Sequence, residues 1–361
     1  MRLISSGLLF LITLLISCDA LSLERITYQV SNADSLYSAI HQANQRGGMS
    51  DIILDDGIYP LPTRLLFNAP NIRLYSGSDQ PDKVILRGNG MSKTQEPGVL
   101  LDIAVSNISI AGITLEQSSN HLIQVRSESD ADHFSLSNCV LRDAWEQLLK
   151  VSGGPGTDKP YSDYGKVENC TFEYSAGIGP QFYIGGIDGH RVRNWIIRGN
   201  TFRNIASPSE HIAEHAIHLW NGASDNLVEF NRIENCDRAI GFGMGQKTHQ
   251  SAGGKIQYNL ILQTDPSHPY NDVGIVLESS PNTQVMGNIL YSSVAYPNAI
   301  EYRFAQTMTV EILYNRANRR IISRDNAQGQ VEGNVIDALT AAEAEKLWAD
   351  LSNMAAAKSR P

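Results

Sequence analysis

Cysteine is scarce. There are four in 361 residues, and the first, Cys18, sits in the N-terminal segment. The other three, Cys139, Cys170 and Cys236, cannot make a disulfide framework, so the fold must rest on packing and hydrogen bonds. Basic charge is short as well: 29 Lys and Arg face 38 Asp and Glu, a net charge of −9. That excludes nucleic acid as a partner, because a phosphate backbone demands a basic face. After residue 16 no apolar run approaches the roughly 20 residues of a membrane-spanning helix. No Pro/Gly/Ser-rich linker divides the chain, which argues for one domain.

The N-terminal segment is not part of that domain. Arg2 gives a weak positive start, and the apolar run Leu3–Ile16 is too short to span a bilayer comfortably. Residues 1–17 therefore read as a signal peptide. The end, Leu15-Ile16-Ser17-Cys18, resembles the lipobox of bacterial lipoproteins, which makes Cys18 the expected lipidated residue. Cleavage after Ala20, removing Cys18, is the competing reading. Both readings place the chain outside the cytoplasm, in the periplasm or cell envelope; on the first, a lipid on Cys18 is its sole tie to a membrane.

What the chain does have is a repeated phrase: apolar, two variable residues, Asn, one variable residue, apolar. It is clearest at Ile197–Phe202 and Val228–Ile233. The fourth position falls at Ile113, Cys139, Cys170, Asn200, Asn231, Asn259, Asn288, Asn315 and Asn334, in steps of 26, 31, 30, 31, 28, 29, 27 and 19. Short strands at such a period wind as coils of a parallel β-helix. The expected fold is all-β: a single-stranded right-handed parallel β-helix of about nine coils. Successive Asn residues should stack inside it about 4.8 Å apart. Asn tolerates left-handed backbone, which would suit the turn between sheets. Cys139 and Cys170 share the ladder position and are expected as buried stacked thiols rather than a disulfide.

Both ends carry helical signals. Asp34 can cap a helix with the apolar face Leu36, Ile40 and Ala43, ended by Gly47-Gly48. Thr340-Ala341-Ala342-Glu343 is a capping-box pattern before Leu347, Trp348 and Leu351. The expected division is a cap helix and first strands over 26–60, the β-helix over 61–338, and a helix and tail over 339–361.

The segments Ser35–Ala43 and Asp51–Tyr59 carry a family likeness. With the repeat, the chain resembles the pectate-lyase-like superfamily, and its start resembles the polysaccharide lyases that include alginate lyases and chondroitinase B. Sharper motifs of related enzymes are absent: Gly-His-Gly with paired aspartates, Asp-Pro-His, and Arg-x-Pro-x-x-Arg. No catalytic residue carries over by motif. The resemblance implies an exported carbohydrate-active protein acting on an acidic polysaccharide, with Ca²⁺ as the cofactor to consider.

Chemistry is expected on the second strand of each coil, where alternation sends every other residue outward. One outward column reads Gln124, Lys150, Asp188, His218, Gly241, Val276, Glu301. The next reads Arg126, Ser152, His190, Trp220, Gly243, Glu278, Arg303. Gly241 and Gly243 would leave a notch between a His/Asp/Trp wall and a Glu/Arg wall, so a side chain at Gly243 should be tolerated by the fold. Lys150, Asp188, Trp220, Gly241 and Gly243 are then the expected substrate-binding residues. For β-elimination, Arg303 or Lys150 would neutralise the uronate, His218 or His190 would serve as base, and Glu214 or Glu278 as acid. A glycoside hydrolase would instead use a carboxylate pair among Asp188, Glu278 and Glu301. A non-catalytic glycan- or partner-binding surface protein would use the same notch. Glu210–His215 also contains H-x-x-E-H, a zinc motif on a helix. Running into a strand, it offers only His211, Glu214, His215 and His218 as metal donors. A monomer is expected.

Overall fold

The computed structural model describes residues 24–154, 160–246, 250–266 and 271–358. The expected signal peptide and Cys18 lie outside them. The strands form three long parallel sheets of twelve, ten and eleven strands, with a fourth of four strands at one corner. Each coil adds one strand to each long sheet. In one coil these are Ile196–Arg198, Thr201–Arg203 and His215–Trp220. The pairing is in register from coil to coil, as in Ile197 with Val228, Phe202 with Ile233 and Ile217 with Ile240. Like residues therefore stack along the axis, and Phe172 lies on Phe202 at 4.7 Å between ring centres. The nine phrases account for nine of the eleven strands of the third sheet. The other two, Gly57–Pro60 and Val84–Arg87, precede Ile113. Among the described residues no helix is long and apolar enough to cross a membrane.

The Asn ladder is continuous from Asn200 to Asn334. The Asn231 side-chain oxygen accepts from both the backbone N and the Nδ2 of Asn200, each at 3.0 Å. The Nδ2 of Asn231 donates to the Ile197 carbonyl at 2.9 Å and to Asn259 Oδ1 at 3.0 Å. The pattern repeats through Asn259, Asn288 and Asn315. Every amide donor and acceptor is thus used inside the solenoid, which is why a buried polar row is tolerated there. Cys139 and Cys170 continue the row as free buried thiols.

The left-handed backbone is not at the Asn itself but one residue earlier. Gly199, Phe230, Tyr258, Gly287, Tyr314 and Gly333 all have φ between 53° and 66°. That residue turns the chain between sheets, and the Asn then points inward. Where it is aromatic, its ring covers the next coil: a side-chain carbon on Gly287 would lie 2.6 Å from the Tyr258 ring.

The first helix, α1 (Ala33–Gln45), buries Leu36, Ala39, Ile40 and Ala43 against the first coils. Its cap is Asn32 rather than Asp34. Asn32 Oδ1 accepts from Ser35 N at 2.9 Å, and Asp34 falls in the first turn, where its charge suits the helix dipole. The second, α2 (Ala341–Lys358), starts with the expected box: Thr340 N donates to Glu343 Oε2 at 2.9 Å. Its Leu347, Trp348 and Leu351 pack on Leu260, Leu262 and Ile289.

Replacing Asn231 with Asp should destabilise the protein by about 3 kcal/mol or more, because a carboxylate would meet the Ile197 carbonyl and the Asn259 oxygen with no proton to share. Denaturant unfolding of the two proteins measures it.

Candidate functional site

The ten-stranded sheet carries the outward columns. Its register pairs Gln124 with Lys150, Lys150 with Asp188, Asp188 with His218, His218 with Gly241, Gly241 with Val276 and Val276 with Glu301. In the second column His190 pairs with Trp220 and Glu278 with Arg303.

A cleft of about 460 Å³ opens on this face. Glu214, His215 and His218 line one side, and Arg238, Asp272, Glu278, Tyr296, Glu301, Arg303 and Arg324 line the other. Of the two walls expected from the columns, His218 of one and Glu278, Glu301 and Arg303 of the other line this cleft. Lys150, Asp188, His190 and Trp220 are not part of it. They form a separate knot: Lys150 Nζ bonds Asp188 Oδ2 and lies 2.9 Å from His190 Nε2, and Trp220 Nε1 donates to Asp188 Oδ1 at 2.7 Å. Burial would raise the Asp188 carboxyl, but His190 and Lys150 outweigh it and hold it well below the carboxylate range. Trp220 is spent on this knot, with its ring stacked on His218 at 5.4 Å, and it offers no sugar platform.

The glycine notch is also corrected. Gly241 leaves room that the His215 ring fills: a side-chain carbon there would lie 2.6 Å from His215 Nε2. Gly243 lies just beyond its strand with φ +80°, and a side-chain carbon would sit 1.8 Å from the Glu278 carbonyl oxygen. It is a packed turn position, not an open one.

The His wall is held by the backbone leading into it. Asp237 accepts from Ser207 N and Ala213 N at 3.0 and 2.8 Å, and Glu214 N donates to the Ile184 carbonyl at 2.9 Å. His218 Nε2 is 2.9 Å from the Gly243 carbonyl, and its Nδ1 is 3.6 Å from Glu214 Oε2. Burial opposes charge on His218, but Glu214 and Asp188 prevail and raise its pKa above 6.5. His215 goes the other way: burial, then the charge of His218, push it well below 6.5. Burial would raise Glu214, and His218 brings it below its usual range. One ligand atom from each of Glu214, His215 and His218 lies within 4.8 Å of the others. His211 stands apart, exposed and against Phe182 at 5.0 Å between ring centres.

On the other wall Arg303 pairs with Glu278 at 2.9 Å, Arg324 with Glu301 at 2.8 Å and Arg238 with Asp272 at 3.4 Å. Glu301 Oε1 also accepts from Tyr296 Oη and Asn298 Nδ2, both at 2.6 Å. Burial, then Glu301, raise the Tyr296 phenol well above its ordinary value. Each carboxylate here already faces a guanidinium. That does not fit Ca²⁺, which needs six or more oxygen ligands.

The columns did not disclose His215, Arg238, Tyr296 or Arg324 as a set. His215 pairs with Arg238, two positions before the inward Ile217 and Ile240. By alternation both should point into the core. Both line the cleft instead.

Comparisons agree with this architecture. Residues 72–311 match the family described as the right handed beta helix region. The chain belongs to that family. No curated protein matches this β-helix in sequence. Among solved structures it is similar to an alginate lyase from Paenibacillus sp., with a TM-score of 0.56 and 15% identity over 86% of this chain and 99% of that one. It is also similar to the tailspike protein of Acinetobacter baumannii phage AM24, with a TM-score of 0.58 and 9% identity over 87% of this chain and 52% of that one. At these identities the likeness is one of fold.

Two outcomes are expected of this β-helix. Gly243→Leu should destabilise it by about 3 kcal/mol or more, since the added side chain meets backbone and the φ is unfavourable; its melting temperature checks this. The buried His121 is pushed down to about 4, mainly by burial and then by Lys150, and His215 also lies below 6.5. Below pH 6.5 the unfolded chain binds protons that these two folded imidazoles refuse, so their contribution to stability is intact above 6.5 and falls as the pH drops toward 4, while His218, with its raised pKa, acts in the opposite direction. Unfolding of His121→Asn across that range should show a shallower loss, by up to about 3 kcal/mol.

Proposed function

We propose that this protein is an exported, carbohydrate-active β-helix protein that cleaves an acidic polysaccharide by β-elimination in the cleft. One observation carries the reading: three arginines, a neutral imidazole and a neutral phenol line the same cavity. Elimination needs a cation for the uronate carboxylate, a base for the proton beside it and an acid for the leaving oxygen. Arg303 and Arg324 supply the cation. Lys150 lies outside the cleft and is tied to Asp188.

His215 suits the base. It is uncharged at neutral pH, and neither ring nitrogen has a hydrogen-bond partner among the described residues. His218 is the poorer base, because its neighbours favour the imidazolium; His190 is outside the cleft. Tyr296 suits the acid, because its environment keeps the phenol protonated. Glu214 is held as carboxylate and does not. A carboxylate-pair hydrolase needs one protonated carboxyl; burial favours that at Glu301, but Tyr296, Asn298 and Arg324 outweigh it. The solved alginate lyase of similar fold makes uronic polymers the first substrates to try, and the leader ending at Cys18 fits export.

The test is the ultraviolet absorbance of unsaturated product on a panel of uronic polysaccharides. Tyr296→Phe should lower kcat by about 100-fold with little change in binding, and Arg303→Ala should lower kcat/KM by a similar factor. The acid limb of kcat/KM should lie below pH 6.5, because His215 stays neutral there. Glycan binding without product, in the unmodified protein, would leave a binding module instead.

A further inference from the structure

The His wall has a feature that elimination does not require. The Gly243 carbonyl can only accept, so His218 Nε2 carries a proton. The His218 Nδ1 faces Glu214 Oε2 at 3.6 Å, a place where a metal ion can displace the proton. Beside them His215 is 5% exposed, with neither ring nitrogen hydrogen-bonded. Its ring lies over Gly241, where any larger residue would expel it.

We propose that Glu214, His215 and His218 form a binding site for a divalent transition-metal ion of the zinc type. The three donor atoms lie within 4.8 Å of one another. Around a tetrahedral ion with bonds of about 2.1 Å, ligand atoms sit roughly 3.4 Å apart, so the set closes with small side-chain movements. Two imidazoles and one carboxylate favour zinc over calcium or magnesium, which take oxygen. The Gly243 carbonyl fixes the His218 tautomer, as an outer partner does in metal sites. The fourth position opens on the cleft. The consequence for activity rests on the elimination reading: the ion takes up the His215 lone pair, so loading suppresses turnover.

The experiment is calorimetric titration of the full chain with Zn²⁺ near neutral pH, repeated after exchange into Co²⁺ for its visible spectrum. One ion per chain is expected, with a tetrahedral cobalt spectrum. His215→Ala and His218→Ala should each weaken binding at least 100-fold, while His211→Ala leaves it unchanged. Glu214→Gln, nearly isosteric, should keep the fold and lose the rise in melting temperature that zinc gives the unmodified protein. No binding, or binding indifferent to His215, His218 and Glu214, would overturn the site. On an acidic polysaccharide, zinc should abolish product formation and a chelator restore it. Undiminished turnover with zinc bound would overturn the link to His215. Absence of turnover without zinc would defeat the elimination reading, while the titration still decides the ion.

Discussion

Everything on the surface of this protein depends on the amide row at its centre. Each Asn of the row accepts twice through Oδ1 and donates twice through Nδ2, always to a neighbouring coil. The bonds run along the axis, so adding a coil adds the same set again. A row of this kind tolerates neither a shift of register nor a change of length between the first and second strands of a coil. All variation is therefore pushed to the other side, into the connections around the ten-stranded sheet. The loop from Asn204 to Glu214 and those that follow Phe242 and Gln263 are of this kind. The long connections and the cleft lie on the same side for one reason.

In-register stacking has an electrostatic consequence. Side chains at equivalent positions recur at one strand spacing, near 4.8 Å, close enough for like charges to repel and unlike charges to bond. The chain answers with opposite charges on neighbouring coils. Glu116 is in register between Arg87 and Arg142 and Asp51 is in register with Arg73, while Arg25 reaches Asp51, and Arg64 and Arg126 reach Asp102, from offset positions. These trios lie on all three long sheets, so charge density alone does not mark a site. The cleft differs in that pairing is incomplete. Its arginines and carboxylates follow the rule, but among the described residues His215 has no hydrogen-bond partner, and His218 is shared between a carbonyl and a carboxylate.

The fold was legible because its signal is a period. Nine phrase positions fix nine turns, and the same period aligned the outward columns correctly even across the connection before Asp188. The site was legible only in part. His218, Glu278, Glu301 and Arg303 came from the columns, and Glu214 and His215 from the H-x-x-E-H segment. The columns themselves failed where strand alternation ends. Gly243 lies past the last strand residue, and Arg238 lies at the first. Trp220 and Lys150 failed for another reason. Their positions were right, but their partners lie on neighbouring coils, and no periodicity states which outward side chains will bond one another.

The opposite states of His215 and His218 are mutually sustaining. Both are buried on one strand, with ring centres 4.5 Å apart. Two imidazolium ions at that distance would cost several kcal/mol in a poorly solvated wall. Only one can be charged, and position decides which. His218 has the Glu214 carboxylate beside it and Asp188 behind it, so the proton settles there. Its charge then helps to keep His215 neutral. The knot of Lys150, Asp188, His190 and Trp220 thereby gains a role outside the cleft. Glu214 does most to favour charge on His218 and Asp188 adds to it, while Trp220, bonded to Asp188, stacks on the His218 ring. The knot thus bears on the protonation of the wall without lining the cleft.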